Sequence, residues 1–143
     1  MKIREWEEIF VELLRRENIE AYPLVSPLEA NHEDGHVVYS LNDDEVYSAY
    51  DGIYTDGVNV TIDARAEKYV VARDLLNKCV DALGLVGRHK TRFIEDREPI
   101  TATQDNATGL YRFLINATLN PNYIFLEDNG RRAFSNSFSR AFG

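Results

Sequence analysis

Forty-eight consecutive residues, Glu17 to Ala64, contain neither lysine nor arginine. The same stretch holds eleven acids: Glu17, Glu20, Glu29, Glu33, Asp34, Asp43, Asp44, Glu45, Asp51, Asp56 and Asp63. The whole 143-residue chain is formally −8, so this third carries more than the entire excess. Such a surface repels nucleic acid at short range, which suits a part that DNA passes rather than one that grips it. Cysteine is nearly absent as well. Cys79 alone excludes a disulfide framework and a thiolate metal cluster, and its place on an apolar helical stripe reads as packing rather than nucleophilic chemistry. No apolar run approaches the ~20 residues needed to span a bilayer. Neither a Gly-rich phosphate loop nor a recognisable nucleophile context for Ser or Thr occurs. The opening Met-Lys-Ile-Arg-Glu-Trp-Glu-Glu has charges where a signal peptide needs its apolar stretch, so the expected product is soluble and intracellular, with no membrane partner.

What the chain does contain argues for a folded domain: 44% hydrophobic residues, with eight Tyr and seven Phe. Ile3, Trp6, Ile9, Phe10, Leu13 and Leu14 share one helical face, opposite Arg4, Glu8, Glu12 and Arg15, and this helix ends near Asn18. Pro23, Pro27, Asn31 and Gly35 make residues 19–36 an extended connection. Val37–Leu41 reads as a strand. An acidic loop from Asn42 to Asp56 follows, and with its flanking strands it forms a long hairpin with a protruding tip. Val58, Val60 and Ile62 then alternate with Asn59, Thr61 and Asp63 as a half-buried strand.

A second amphipathic helix is predicted over about Ala66–Leu83, with Tyr69, Ala72, Leu76, Cys79 and Leu83 on one face, widened by Val70, Leu75 and Val80. Gly84 and Gly87 stop it. Arg92–Ile100 is a strand stopped by Pro99, Thr103–Gly109 a polar turn, and Leu110–Leu119 the clearest strand. The order helix, two strands, helix, two strands predicts an α+β fold: a small antiparallel sheet with both helices packed on one face.

His32-Glu33-Asp34-Gly35-His36 matches the H-E-x-x-H pattern of zinc peptidases, but that chemistry needs both His on one helical face. Pro27, Asn31 and Gly35 and the strand at Val37 contradict a helix there, so neither a metal site nor a catalytic residue is assigned, and no cofactor is expected. From Gly130 the chain reads Gly-Arg-Arg-Ala-Phe-Ser-Asn-Ser-Phe-Ser-Arg-Ala-Phe-Gly, with three Arg and no acid. Phe134, Phe138 and Phe142 recur every four residues and would align on a short helix. Either this is a fraying terminus, or it is an arm that docks on an adjacent molecule, with Phe as anchors and Arg131 and Arg132 reaching acids. The expected division is therefore a domain over residues 1–126 and an arm over 127–143.

Several pieces, in order, resemble the tail terminator, or tail completion, proteins of long-tailed bacteriophages. They are the helix Ile3–Arg16, the connection Tyr22-Pro23-Leu24, and the strand Val37-Val38-Tyr39. Next come the run Val58-Asn59-Val60-Thr61-Ile62-Asp63-Ala64-Arg65-Ala66 before Tyr69, Ala72, Leu75 and Leu76, and then Thr108-Gly109-Leu110-Tyr111-Arg112 entering the alternation Phe113–Leu119. The resemblance covers about residues 1–119; the long acidic loop at 42–56 and the Phe/Arg tail depart from it.

It implies a fold like that of tail-tube subunits and a structural, non-enzymatic virion protein assembled in the host cytoplasm. Such a protein forms a hexameric ring that caps the tail tube and meets the head connector at the neck, while DNA passes through without specific binding. Asp43, Asp44, Glu45, Asp51 and Asp56 would then face the channel, or else only solvate an outer surface. Tyr47, Tyr50 and Tyr54 would join Arg131, Arg132, Phe134, Phe138 and Phe142 in contacts between subunits, or the three Tyr would pin the loop to its own domain. Two other classes stay open: another neck or tail component, such as a tube subunit or head-completion protein, and a small metal- or ligand-binding enzyme domain.

Overall fold

The computed structural model describes residues 3–43, 46–49, 52–55, 58–84 and 94–119. Helix α1 (Ile3–Arg16) forms as its apolar spacing requires: Trp6, Phe10, Leu13 and Leu14 are buried. Glu5 in the first turn and Arg15 and Arg16 in the last oppose the helix dipole. Asn18 closes the helix in the left-handed region (φ 59°), a conformation Asn tolerates, and the amides of Asn18 and Ile19 return to the carbonyls of Arg15 and Leu14.

The chain then runs as β1 (Ala21–Pro23) alongside β2 (His36–Asp43), in parallel, with Tyr22 opposite Val38. Sequence patterning leaves this strand inside an extended connection, because three residues including a proline carry no periodicity. Pro23 is tolerated because β1 is an edge strand. Parallel neighbours need a crossover, and residues 24–35 supply it without a helix. The sheet is therefore mixed, antiparallel everywhere except at β1.

Between β2 and β5 (Val58–Ala66), the segment expected to be a loop contains two strands, β3 (Val46–Ala49) and β4 (Gly52–Thr55). Among the described residues they pair only with each other, and β4 passes beside α1. β2 and β5 pair from His36↔Arg65 to Asp43↔Val58, so the main hairpin is continuous up to the point where the small one departs.

β5 runs on to Ala66 because its ladder with β8 (Tyr111–Leu119) continues through Arg65↔Arg112 to Ala66↔Tyr111. Helix α2 (Tyr69–Gly84) consequently starts three residues later than its hydrophobic pattern suggests. Ala72, Leu76, Cys79 and Leu83 are buried as expected, whereas Val70 is exposed and Tyr69 only half-covered, edge-on to Phe113 at 5.0 Å. The region after α2 holds two strands in place of one. β6 (Ile94–Arg97) and β7 (Thr101–Gln104) both pair with β8, interrupted around Pro99, which has no amide to donate. Thr103 and Gln104 thus belong to a strand, and the turn is confined to residues 105–109. There Asp105 accepts the Ala107 amide at 2.9 Å, and Gly109 takes φ 78°.

Strand order is β1-β2-β5-β8, with β6 and β7 sharing the position beyond β8. One face of this sheet, built from Val37, Tyr39, Val60, Ile62, Phe113 and Ile115 among others, forms a single core with α1 and α2. Both helices cover that face, giving the α+β arrangement that the element order predicts.

Candidate functional site

Among the described residues no helix covers the opposite face of the sheet, and register decides what it carries. Arg65 on β5 pairs with His36 on one side and with Arg112 on the other. Two guanidiniums directly opposite each other repel. Asp63, two residues earlier on the same face, lies between them and is only 4% exposed. Its Oδ2 accepts Arg65 Nη2 at 2.9 Å and Arg112 Nε at 3.1 Å. The carboxylate hydrogen bond raises the Arg112 guanidinium above its ordinary pKa.

The crossover, residues 24–35, folds over this end of the face. Arg65 Nη1 donates to Ser26 Oγ at 2.9 Å, and Ser26 Oγ lies 2.8 Å from His36 Nε2. His36 Nδ1 lies 2.9 Å from the Asn31 carbonyl, which can only accept, so Nδ1 carries the proton and Nε2 receives the Ser26 hydroxyl. The result is a one-directional relay from Arg65 through Ser26 and His36 to the Asn31 carbonyl. His36 is fully buried, and burial first, with a smaller push from the Arg65 charge, holds its pKa below the ordinary histidine value.

A hydroxyl on an imidazole also describes a nucleophile and its base. Here the ring is sealed from solvent and Arg65 occupies a lone pair of Ser26, so the pair serves to pin the crossover to the sheet. Gly35 completes the closure at φ 89°. A Cβ there would lie 2.9 Å from Leu75 Cδ2 and 3.1 Å from the Arg65 carbonyl, so only glycine fits.

The His32–His36 segment is not helical, and both ring nitrogens of His36 are engaged within the chain. The two rings stack at 5.5 Å, unlike the helical His pair of a zinc peptidase. Among the described residues, no three His, Cys, Asp or Glu side chains converge as ligands of a metal ion would.

Farther along the same face the floor is Asn and Thr. Thr61 Oγ1 donates to Asn116 Oδ1 at 2.7 Å, Thr118 Oγ1 to Asn59 Oδ1 at 3.0 Å, and Asn116 Nδ2 to Glu98 Oε1 at 3.1 Å. With Asn42 and Arg97 these residues line an open, shallow hollow.

The crossover also carries aliphatic side chains into water: Leu24 is 73% exposed, Val25 69% and Leu28 fully exposed. Leu24 adopts φ 68°, a left-handed backbone that costs a non-glycine residue roughly 1–2 kcal/mol. Its amide is fixed to the Tyr39 carbonyl at 2.9 Å.

Of the residues singled out by sequence, Asp43 ends β2 and pairs in backbone register with Val58, while Tyr47 and Tyr54 sit directly opposite each other in the small hairpin. Asp44, Glu45, Tyr50, Asp51 and Asp56 lie outside the described residues, as do Arg131, Arg132, Phe134, Phe138, Phe142 and the boundary at residue 126. Sequence alone does not single out the Asp63–Arg65–Arg112 cluster or the Ser26–His36 relay. A signal was present, since Asp63, Arg65 and Arg112 all occupy polar positions of alternating strands, but it becomes readable only once register places Arg112 against Arg65.

No family model matches the chain, and no curated protein matches it. Among solved structures it is similar to a chain from the virion of a native gene transfer agent (GTA) particle, at 18% identity and a TM-score of 0.42. That alignment covers 75% of this chain and 83% of the other. No described helix is long and apolar enough to cross a membrane.

Proposed function

We propose that this chain is a structural subunit of a phage-type virion, forming a ring that caps the tail tube, ends its growth and joins the tail to the head connector. The observation that carries this reading is the β3–β4 hairpin. Among the described residues its strands pair only with each other, so there it is an appendage of the sheet and not a member of it. The sequence of this excursion, residues 43–56, holds Asp43, Asp44, Glu45, Asp51 and Asp56 and no lysine or arginine. An appendage with that charge, repeated around a ring, would make a channel wall that repels the DNA backbone. The order of helices and strands supports the same reading, since the pieces that resemble tail terminators fall on α1, β1, β2, β5, α2 and β8.

On this reading the partners are further copies of the chain, the tube protein and the head connector, and the protein resides at the virion neck after assembly in the host cytoplasm. No catalytic step is assigned. The Ser26–His36 pair, the most enzyme-like feature, has its imidazole closed from solvent. The test is the mass of the purified protein over a concentration range, with negative-stain electron microscopy of the same samples. Closed six-fold rings that do not stack are expected. Open stacked tubes would reassign the chain as a tube subunit, and a strict monomer that fails to cap preformed tubes would overturn the proposal.

A further inference from the structure

Leu24, Val25 and Leu28 are the most exposed large apolar side chains among the described residues, and they lie within five positions of one another. They are also held in place. Leu24 is fixed through its amide to Tyr39 and takes a left-handed backbone, and Ser26, in their midst, is bonded to both His36 and Arg65. Aliphatic groups fixed on an anchored segment lose little freedom on being covered, which suits them to docking.

We infer that this patch is the seat for the C-terminal arm, residues 130–143, of a second copy of the chain. Three observations select that occupant. The rim of the patch is acidic, with exposed Glu29, Glu33 and Asp34 on the same segment, whereas the arm carries Arg131, Arg132 and Arg140 and no acid. The arm supplies the matching apolar groups, Phe134, Phe138 and Phe142, spaced for one side of a short helix. Sheet order supplies the direction. The patch follows β1 at one edge, while the described chain ends with β8, beside β6 and β7 at the other edge. A chain end on β8 and a seat beyond β1 are different parts of the sheet, so their contact joins two different surfaces of neighbouring copies, the heterologous kind that can close into a ring. From Leu119 to Phe134 the chain can span up to roughly 50 Å, ample for a neighbouring molecule.

The inference deepens the ring reading by naming the surfaces that would join its subunits. Its test uses two full-length variants, Leu28→Cys and Ser137→Cys, mixed under mild oxidation, with products read by intact mass. Cys79 does not interfere, because it is buried and its thiol is pushed up to about 12. A mixed disulfide between the variants is expected, forming at least tenfold faster than with Asn106→Cys in the exposed turn as the second partner. Reversing Glu29, Glu33 and Asp34 to Lys should remove that advantage.

Equal rates for Ser137→Cys and Asn106→Cys would overturn the contact. So would a doubly substituted chain that closes only on itself while the mixed pair fails to form, since the arm would then seat on its own molecule. Electron microscopy of the same samples separates the two ideas. Rings without the mixed disulfide overturn this contact and leave the ring, whereas the disulfide with neither rings nor capping of preformed tubes keeps the contact and overturns the ring.

Discussion

Asp63 shows how much of this molecule turns on single residues. It is a buried carboxylate between two guanidiniums, on the side of the sheet away from the main core. Asp63→Asn would leave Arg65 facing Arg112 with no anion between them, so a destabilisation of about 3 kcal/mol is expected in chemical denaturation. A loss below ~1 kcal/mol would mean that solvent already screens the pair. His36 gives a pH signature. Its folded pKa is depressed, mainly by burial, so the neutral form stabilises the fold. That contribution is complete above the unfolded value of about 6.5 and is lost as pH falls below it towards the lower folded pKa. Tm should therefore drop between pH 7 and pH 5, and His36→Gln should flatten the slope; equal slopes in the two proteins would remove His36 as the source. At this scale the sequence was only partly legible. Alternation along β5 correctly put Asp63 opposite the core, but nothing local said that it would be buried. Its partners are Arg65, itself held by Ser26 of the crossover, and an arginine 49 residues later in the chain.

At the scale of elements, legibility followed length and periodicity. α1, β5, α2 and β8 each span nine residues or more, enough for a 3.6- or 2-residue period to stand out, and all four were readable. β1, β3, β4, β6 and β7 span three or four residues each, too few for a period to set them apart from loop or from one another. Their formation depends on a partner strand rather than on their own composition. Among the described residues β3 and β4 pair with each other alone, so they should be removable. Replacing residues 44–57 with a two-residue Asn-Gly turn joins Asp43 to Val58, which already face each other in register. Tm is expected to move by no more than about 4 °C, equivalent to ~1 kcal/mol for a domain of this size. A much larger drop would show that the hairpin supports α1, beside which β4 runs.

For the whole molecule, the fold class was readable because the order of long elements admits few α+β solutions; the parallel β1 was not, since no local pattern announces it. Charge makes the matching functional prediction. Changing Asp43, Asp44, Glu45, Asp51 and Asp56 to Lys adds two charges per site, taking the chain from −8 to +2. If the hairpins wall a channel, particles carrying this variant should eject DNA more slowly, and raised salt should restore the rate as cation–phosphate contacts are screened. Ejection at the wild-type rate in low salt would put these acids on an outer surface. The position of β8 has a consequence for how the protein is made. It is the last described strand in the chain, yet it pairs with β5, β6 and β7. A nascent polypeptide that has reached only Gly109 has β5, β6 and β7 waiting for the same missing strand, with apolar surface uncovered. The sheet therefore cannot close from the N-terminus as synthesis proceeds, and folding waits until residue 119 is free of the ribosome.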